Sequence, residues 1–268
     1  MIGPLDIRHL ESGMFRPYQV QFNLFHRIME SPGHIALGTK DGSLIACYNE
    51  GYPMWLWIHP ETGPGEKQER MEALSAALEE NRIFGIIAEE EVSSFFAEDY
   101  SKRLGVRYSY AMGMEAYCME KLKAPGGVEG RMVPADGSHL AVVARCIAGF
   151  QKDALGQDAA EEGMQEAAGR LIASKNLYLW ESGGKIVSTS YICHRTGRHA
   201  RINTVYTPPE ERKKGYASAL MAAVCGIILE EGRKPLLYAD LQNPDSNKVY
   251  RNVGFIPHGK LHENRFIY

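Results

Sequence analysis

The sequence predicts an α/β fold in two halves of like construction, each a mixed, mostly antiparallel sheet flanked by helices. Three observations lead there. Strand-like and helix-like apolar periodicities alternate along the chain. The order of those segments repeats once. Between the repeats lies a glycine-rich stretch with a proline, Lys123-Ala-Pro-Gly-Gly-Val-Glu-Gly130. At 268 residues the chain is long for one domain and comfortable for two, so the expected division is 1–124 and 131–268.

In the first half, residues 18–30 read as a helix, and 34–48 as a hairpin turning at Lys40-Asp-Gly42. Residues 52–58 form a third strand, and 66–81 an amphipathic helix with Met71, Leu74 and Leu78 at helical spacing. A buried strand at 83–88, a helix at 90–104 and a strand at 108–121 follow. The second half opens on a short strand at 131–134, with helices at 137–150 and 161–174. A hairpin at 177–191 turns on Ser182-Gly-Gly184. Then come a strand at 201–207, a helix at 215–231, a strand at 235–241, a helix at 246–253 and a closing strand at 259–268.

Hydrophobic residues make up 44% and charged residues 24%, ordinary values for a folded domain. A net charge of −3 and a pI near 6.3 argue against a nucleic-acid partner. No window has the apolar length of a membrane span, and residues 1–10 lack a signal pattern. Five scattered cysteines without a C-x-x-C pair suit reduced thiols rather than a metal site, and the expected location is the cytoplasm.

The most informative segment is Val205-Tyr-Thr-Pro-Pro-Glu-Glu-Arg-Lys-Lys-Gly-Tyr-Ala217, running into an apolar helix from Ser218. It reads as strand, basic glycine turn and helix start. Free N–H groups, the helix dipole and cations then meet at one point, as anion binding requires. Pro208-Pro209 ends the strand, Gly215 lets a ligand approach the backbone, and Ala217 keeps the first helical turn thin. Arg212, Lys213 and Lys214 supply the cations. The dinucleotide and nucleoside-triphosphate glycine motifs are absent.

Arg212-x-x-Gly215-x-Ala217, followed by Asn243, Ser246 and Tyr250-Arg-Asn-Val-Gly-Phe255, resembles the GNAT superfamily of N-acetyltransferases. The resemblance implies acetyl-CoA as co-substrate and no metal. Backbone groups of Val205, Tyr206 and Thr207, on a bulged strand, would pair with the pantetheine arm. N–H groups of Lys213, Lys214, Gly215, Tyr216, Ala217 and Ser218 would hold the pyrophosphate. Asn243 would bond the pantetheine arm, and Tyr250 would face the coenzyme sulfur as proton donor. Ser246, at the helix start, also suits an N-cap. The degenerate-then-active arrangement is similar to glycine N-acyltransferase-like proteins.

Several members of that superfamily carry a glutamate base on the strand before the turn, and here the position is Arg201. His194, His199 and Glu181 are the remaining side-chain candidates; a water relay or a neutral amine would need none. The first half offers His59-Pro-Glu-Thr-Gly-Pro-Gly-Glu-Lys67 at the matching turn, where acids replace the cations, so no second coenzyme site is expected. Tyr52, Trp55 and Trp57 are candidates for an acceptor-pocket wall, against ordinary strand core. The expected function is transfer of an acetyl or small acyl group to a primary amine of a small molecule or peptide. The alternative is an inactive coenzyme-binding module. The acceptor and the oligomeric state stay open.

Overall fold

The computed structural model describes residues 1–156, 158 and 160–268. The chain divides into two compact units, one of Met1–Ala116 with His258–Tyr268, the other of Tyr117–Pro257.

The first unit contains β1 (Ile2–Pro4), α1 (Leu24–Met29), β2 (Ile35–Thr39), β3 (Leu44–Tyr48), β4 (Met54–Ile58), α2 (Pro64–Ala77), β5 (Gly85–Ala88), α3 (Glu90–Leu104) and most of β6 (Arg107–Met119). Its strands run in the order β1, β2, β3, β4, β5, followed by the last residues of the chain's final strand. β4 and β5 are parallel and the other pairings are antiparallel. Helices α2 and α3 bury Met71, Leu74, Phe96 and Tyr100 against Leu44, Leu56, Ile86 and Phe266. Each such side chain contributes about 1.5–3 kcal/mol by leaving water.

Trp55 and Trp57 are strand core here: Trp57 packs edge-on to Phe15 at 5.0 Å and against Tyr18 at 5.4 Å, while Tyr52 is exposed. The helix expected over 18–30 is shorter. Pro17 lies in a 3-10 turn, and several bonds from Asn23 to His26 still close on the third residue back, so regular α-helix begins at Leu24.

The second unit contains the end of β6, then β7 (Arg131–Pro134), α4 (Leu140–Leu155), α5 (Gln165–Ala173), β8 (Leu177–Ser182), β9 (Lys185–Arg195), β10 (His199–Tyr206), α6 (Tyr216–Glu230), β11 (Lys234–Asp240), α7 (Pro244–Val253) and the start of β12 (Phe255–Ile267). The strand order is β6, β11, β10, β9, β8, β7. Only β10 and β11 are parallel among the pairings of β7 to β11. Helix α6 is apolar on most of its surface. It buries Leu220, Met221, Val224 and Ile228 against Ile192, Ile202, Leu237 and Phe255 on one face of the sheet. The other face is covered by α4 and α5 through Val143, Ile147 and Ile172 against Leu177 and Leu179.

The 123–130 stretch, expected as the joint between domains, lies inside the second unit. Lys123 donates its N–H to the Val253 carbonyl at 2.8 Å, and Trp180 donates Nε1–H to the Glu129 carbonyl at 3.0 Å. These bonds and the packing of Val128 on the α6 core tie it down.

Candidate active site

Strands β10 and β11 pair through His199↔Lys234, Ala200↔Pro235 and Arg201↔Leu236. Beyond Arg201 the pairing stops, although β10 continues to Tyr206 and β11 to Asp240. The two strands thus part like a V, leaving one edge of β10 open to an extended ligand. On its other edge β10 shifts register between Asn203↔Tyr191 and Tyr206↔Thr189, a bulge. Thr204, a β-branched residue at φ 50, sits in it. The Asn203 side chain accepts the Thr204 N–H at 2.8 Å, which supports the unusual conformation. A cavity of about 240 Å³ opens beside the bulge, lined in part by Ile147 and Phe150 of α4, Leu171 of α5 and Thr204.

The strand leads into the turn at Pro208, and a 3-10 turn spans Pro209–Glu211. Lys213 at φ 63 and Gly215 at φ 85 are both left-handed, the backbone signature of an anion-binding nest. Gly215 caps α6, and the first bond of the helix runs from the Ala219 N–H to its carbonyl at 3.0 Å. Among the described residues, the N–H groups of Lys213, Lys214, Gly215, Tyr216, Ala217 and Ser218 donate to no protein acceptor. A Cβ on Gly215 would lie 3.0 Å from Val128 Cγ2, so the expected joint segment closes one side of this turn.

Two of the three cations are not free. Arg212 donates Nε–H to the Thr207 carbonyl at 2.9 Å and forms an ion pair with Asp153 of α4. Lys214 pairs with Glu211 at 2.7 Å. Arg212 therefore braces the turn, and the positive potential comes mainly from Lys213 and the helix start. The expected pantetheine-binding carbonyls are also partly engaged: the Tyr206 carbonyl accepts from Ser188 Oγ at 3.1 Å, and that of Thr207 from Arg212. Each carbonyl keeps a second lone pair.

Asn243 caps α7. Its Oδ1 accepts the Ser246 N–H at 3.0 Å, and Pro244 takes the first helical position. Ser246 is therefore not the N-cap, because the helix begins two residues earlier than the sequence reading placed it. Tyr250, on the same helix, is 8% exposed, with its ring 6.2 Å from that of Tyr117 and 6.1 Å from that of Phe255. Burial pushes its phenol up to about 12, opposed by the Ser246 hydroxyl. Asn247 is a residue the sequence reading passed over. It bonds Tyr117, Asp240 and Asn243, and it holds α7 against the end of β11.

The candidate bases scatter. Glu181 is paired with Arg131 at 2.9 Å. His194 is buried on β9, opposite Arg201. His199 is at the start of β10. Burial pushes the thiols of Cys47 and Cys146 up to about 12 and that of Cys118 up to about 11. Among the described residues no cluster of His, Cys, Asp or Glu could hold a metal ion, and no helix is long and apolar enough to cross a membrane.

The family model described as "Acetyltransferase (GNAT) family" matches residues 150–255. No curated protein matches the chain by sequence. Among solved structures, a GNAT-family acetyltransferase from Colwellia psychrerythraea aligns over 100% of both chains, with a TM-score of 0.58 at 14% identity. A Drosophila protein aligns over 99% of this chain and 98% of its own, with a TM-score of 0.65 at 12% identity. A GCN5-related N-acetyltransferase from Sphaerobacter thermophilus covers 91% of this chain and 84% of its own, at 0.59 and 16%. At such identities the likeness is one of fold. Residues 150–255 thus carry the sequence pattern of the acetyltransferase (GNAT) family, and the chain as a whole has the fold of that family's solved members.

Proposed function

We propose that the second unit transfers an acetyl or small acyl group from acetyl-CoA directly to a primary amine of a small molecule or peptide. The observation that carries this reading is the run of N–H groups without protein acceptors from Lys213 to Ser218, placed beside the open edge of β10. The first is suited to a pyrophosphate and the second to an extended amide-bearing arm, and coenzyme A joins the two. The matching turn of the first unit has Glu61 and Glu66 in place of cations, so that unit holds no coenzyme in this reading.

In the proposed reaction the amine lone pair attacks the thioester carbonyl, forming the C–N bond. Backbone N–H groups of β10 near the bulge stabilise the oxyanion. The C–S bond then breaks, and Tyr250 donates a hydrogen bond to the departing sulfur. A phenol at about 12 is a weaker acid than a thiol near 8.5. Full proton transfer is therefore coupled to loss of the proton from the new amide nitrogen, which restores Tyr250 by way of solvent. Cys118 and Cys146 of this unit are buried thiols pushed to high pKa, which makes both poor acyl carriers.

Arg201, in the place of a carboxylate base, favours the second reading, a coenzyme-binding module without catalysis. Calorimetry with acetyl-CoA and a coenzyme-release assay over an amine panel separate the two. Release with any amine supports transfer. Binding with no release across the panel supports the module, and absence of binding overturns both.

A further inference from the structure

We infer that Arg201 binds a carboxylate of the acceptor, so that the acyl group goes to an amine carrying a carboxylate close by, as an α-amino acid does. The inference rests on the acyl-transfer reading above. Arg201 is the last residue of β10 paired to β11 before the strands part, which places it at the closed end of the V. A ligand arm running from the turn along the open edge of β10 ends there. Ala200 and Ile202 face α6, so alternation turns Arg201 to the sheet face covered by α4 and α5. That face also carries the cavity at Thr204, three residues further along β10.

Most arginines of this unit are already neutralised. Arg131, Arg145, Arg170, Arg195, Arg212 and Arg233 each pair with a carboxylate. Arg201 has no such partner among the described residues, and its Nε is buried without a hydrogen bond. A buried donor on a charged group is costly to leave unmade, and the complement of a planar guanidinium is a carboxylate held by two parallel bonds. Its neighbours within the sheet on that face are His194 and Tyr191 of β9, Asn203 of β10, and Leu236 and Tyr238 of β11. None is acidic. Asp240, further along β11, is held by the Gln242 N–H at 2.8 Å. Arg170 also lines the cavity at Thr204 but is already paired with Glu166, so Arg201 is left as one guanidinium for a single negative charge rather than a phosphate. A fixed cation near the acceptor's ammonium also favours its neutral, nucleophilic form, which removes part of the need for a carboxylate base.

The test is coenzyme release by the full chain with acetyl-CoA and matched acceptor pairs: glycine against methylamine, phenylalanine against phenethylamine, lysine against cadaverine. The expected result is that the amino acid of at least one pair exceeds its decarboxylated partner by about 30-fold or more in kcat/KM, the size of a charge-assisted bidentate contact. Arg201→Gln should abolish that preference by raising the acceptor KM while the acetyl-CoA Kd stays unchanged, and Arg201→Lys should restore part of it. Equal or better turnover of the decarboxylated amine in every pair overturns the inference and leaves acyl transfer standing. An Arg201→Gln protein that keeps the wild-type preference overturns it as well. No release with any amine in the wider panel removes the acyl-transfer reading and the inference together. The comparison of pairs uses the unaltered protein, so it stands even if a variant fails to fold.

Discussion

Tyr117 donates its phenolic hydrogen to the side-chain carbonyl of Asn247 at 2.9 Å, and both residues are buried. From its Nδ2, Asn247 donates to the carbonyls of Asp240 at 2.7 Å and Asn243 at 2.6 Å. One side chain thus joins β6, the end of β11 and the cap of α7. It thereby fixes the helix that carries Tyr250. Every polar atom of the amide is used, so the residue has no freedom to turn.

Replacing Asn247 by Ala removes all of these bonds and leaves the Tyr117 hydroxyl buried without its acceptor. The expected loss of stability in chemical denaturation is about 2–4 kcal/mol. Tyr117→Phe alone should cost less, because it removes one bond and leaves only the Asn247 oxygen without its donor, whereas Asn247→Ala removes three bonds. The two changes together should couple by about 1 kcal/mol. Additive losses would show that this bond does not brace α7.

Gly215→Ala puts a side chain at φ 85, where an L-residue is strained by about 1–2 kcal/mol, and brings Cβ within 3.0 Å of Val128 Cγ2. Stability should fall by that amount, and the acetyl-CoA Kd measured by calorimetry should rise about tenfold as the N–H groups are turned aside. Lys213 is also left-handed, at φ 63, but carries a side chain. Lys213→Gly should therefore stabilise the fold by about 0.5–1 kcal/mol while weakening coenzyme binding through the lost charge. Opposite signs at neighbouring positions are the readout.

Arg212→Lys tests whether this residue braces or merely attracts. A guanidinium spans the Thr207 carbonyl and Asp153, and a single ammonium cannot hold both in the same fork. The charge is kept, so a purely electrostatic role predicts unchanged affinity. The bracing role predicts an acetyl-CoA Kd about tenfold weaker, with little change in its salt dependence. Affinity equal to wild type would leave Arg212 a simple surface cation.

These residues show which parts of the molecule could be read from the chain. The strand, turn and helix around Gly215 were legible because proline and glycine punctuate locally and the following helix is apolar over its whole length. The expected bounds of α3, 90–104, match the observed ones, where a left-handed Gly105 takes the C-cap. The start of α7 was missed by giving the cap to Ser246, although Pro244 at the first helical position already pointed to Asn243. The Asn247 hub, the Arg212–Asp153 pair and the packing of 123–130 beside Gly215 were not legible. Each joins residues far apart in sequence, and neither partner has a pattern of its own. Arg201 was visible as a departure from the superfamily's glutamate, but its lack of an ion partner is a property of the folded neighbourhood alone.

Tyr250→Phe separates catalysis from packing. The ring stays between Tyr117 and Phe255, so the fold and the acetyl-CoA Kd should hold, while kcat falls about 100-fold or more with loss of the proton donor. The pH dependence adds a second readout. Burial raises the phenol from the ordinary 10 to about 12, so it remains a donor through neutral and mildly alkaline solution, and no falling limb of kcat below pH 10 belongs to it. The sign for stability follows from the same shift. The folded protein holds this proton more tightly than the unfolded chain does. Its contribution is complete below pH 10 and declines as the pH climbs from 10 toward 12, by up to about 1.4 kcal/mol per unit. In Tyr250→Phe that part of the alkaline decline should vanish. An unchanged kcat would remove Tyr250 from the reaction. An unchanged alkaline decline would show instead that its hydroxyl is already open to solvent in the folded state.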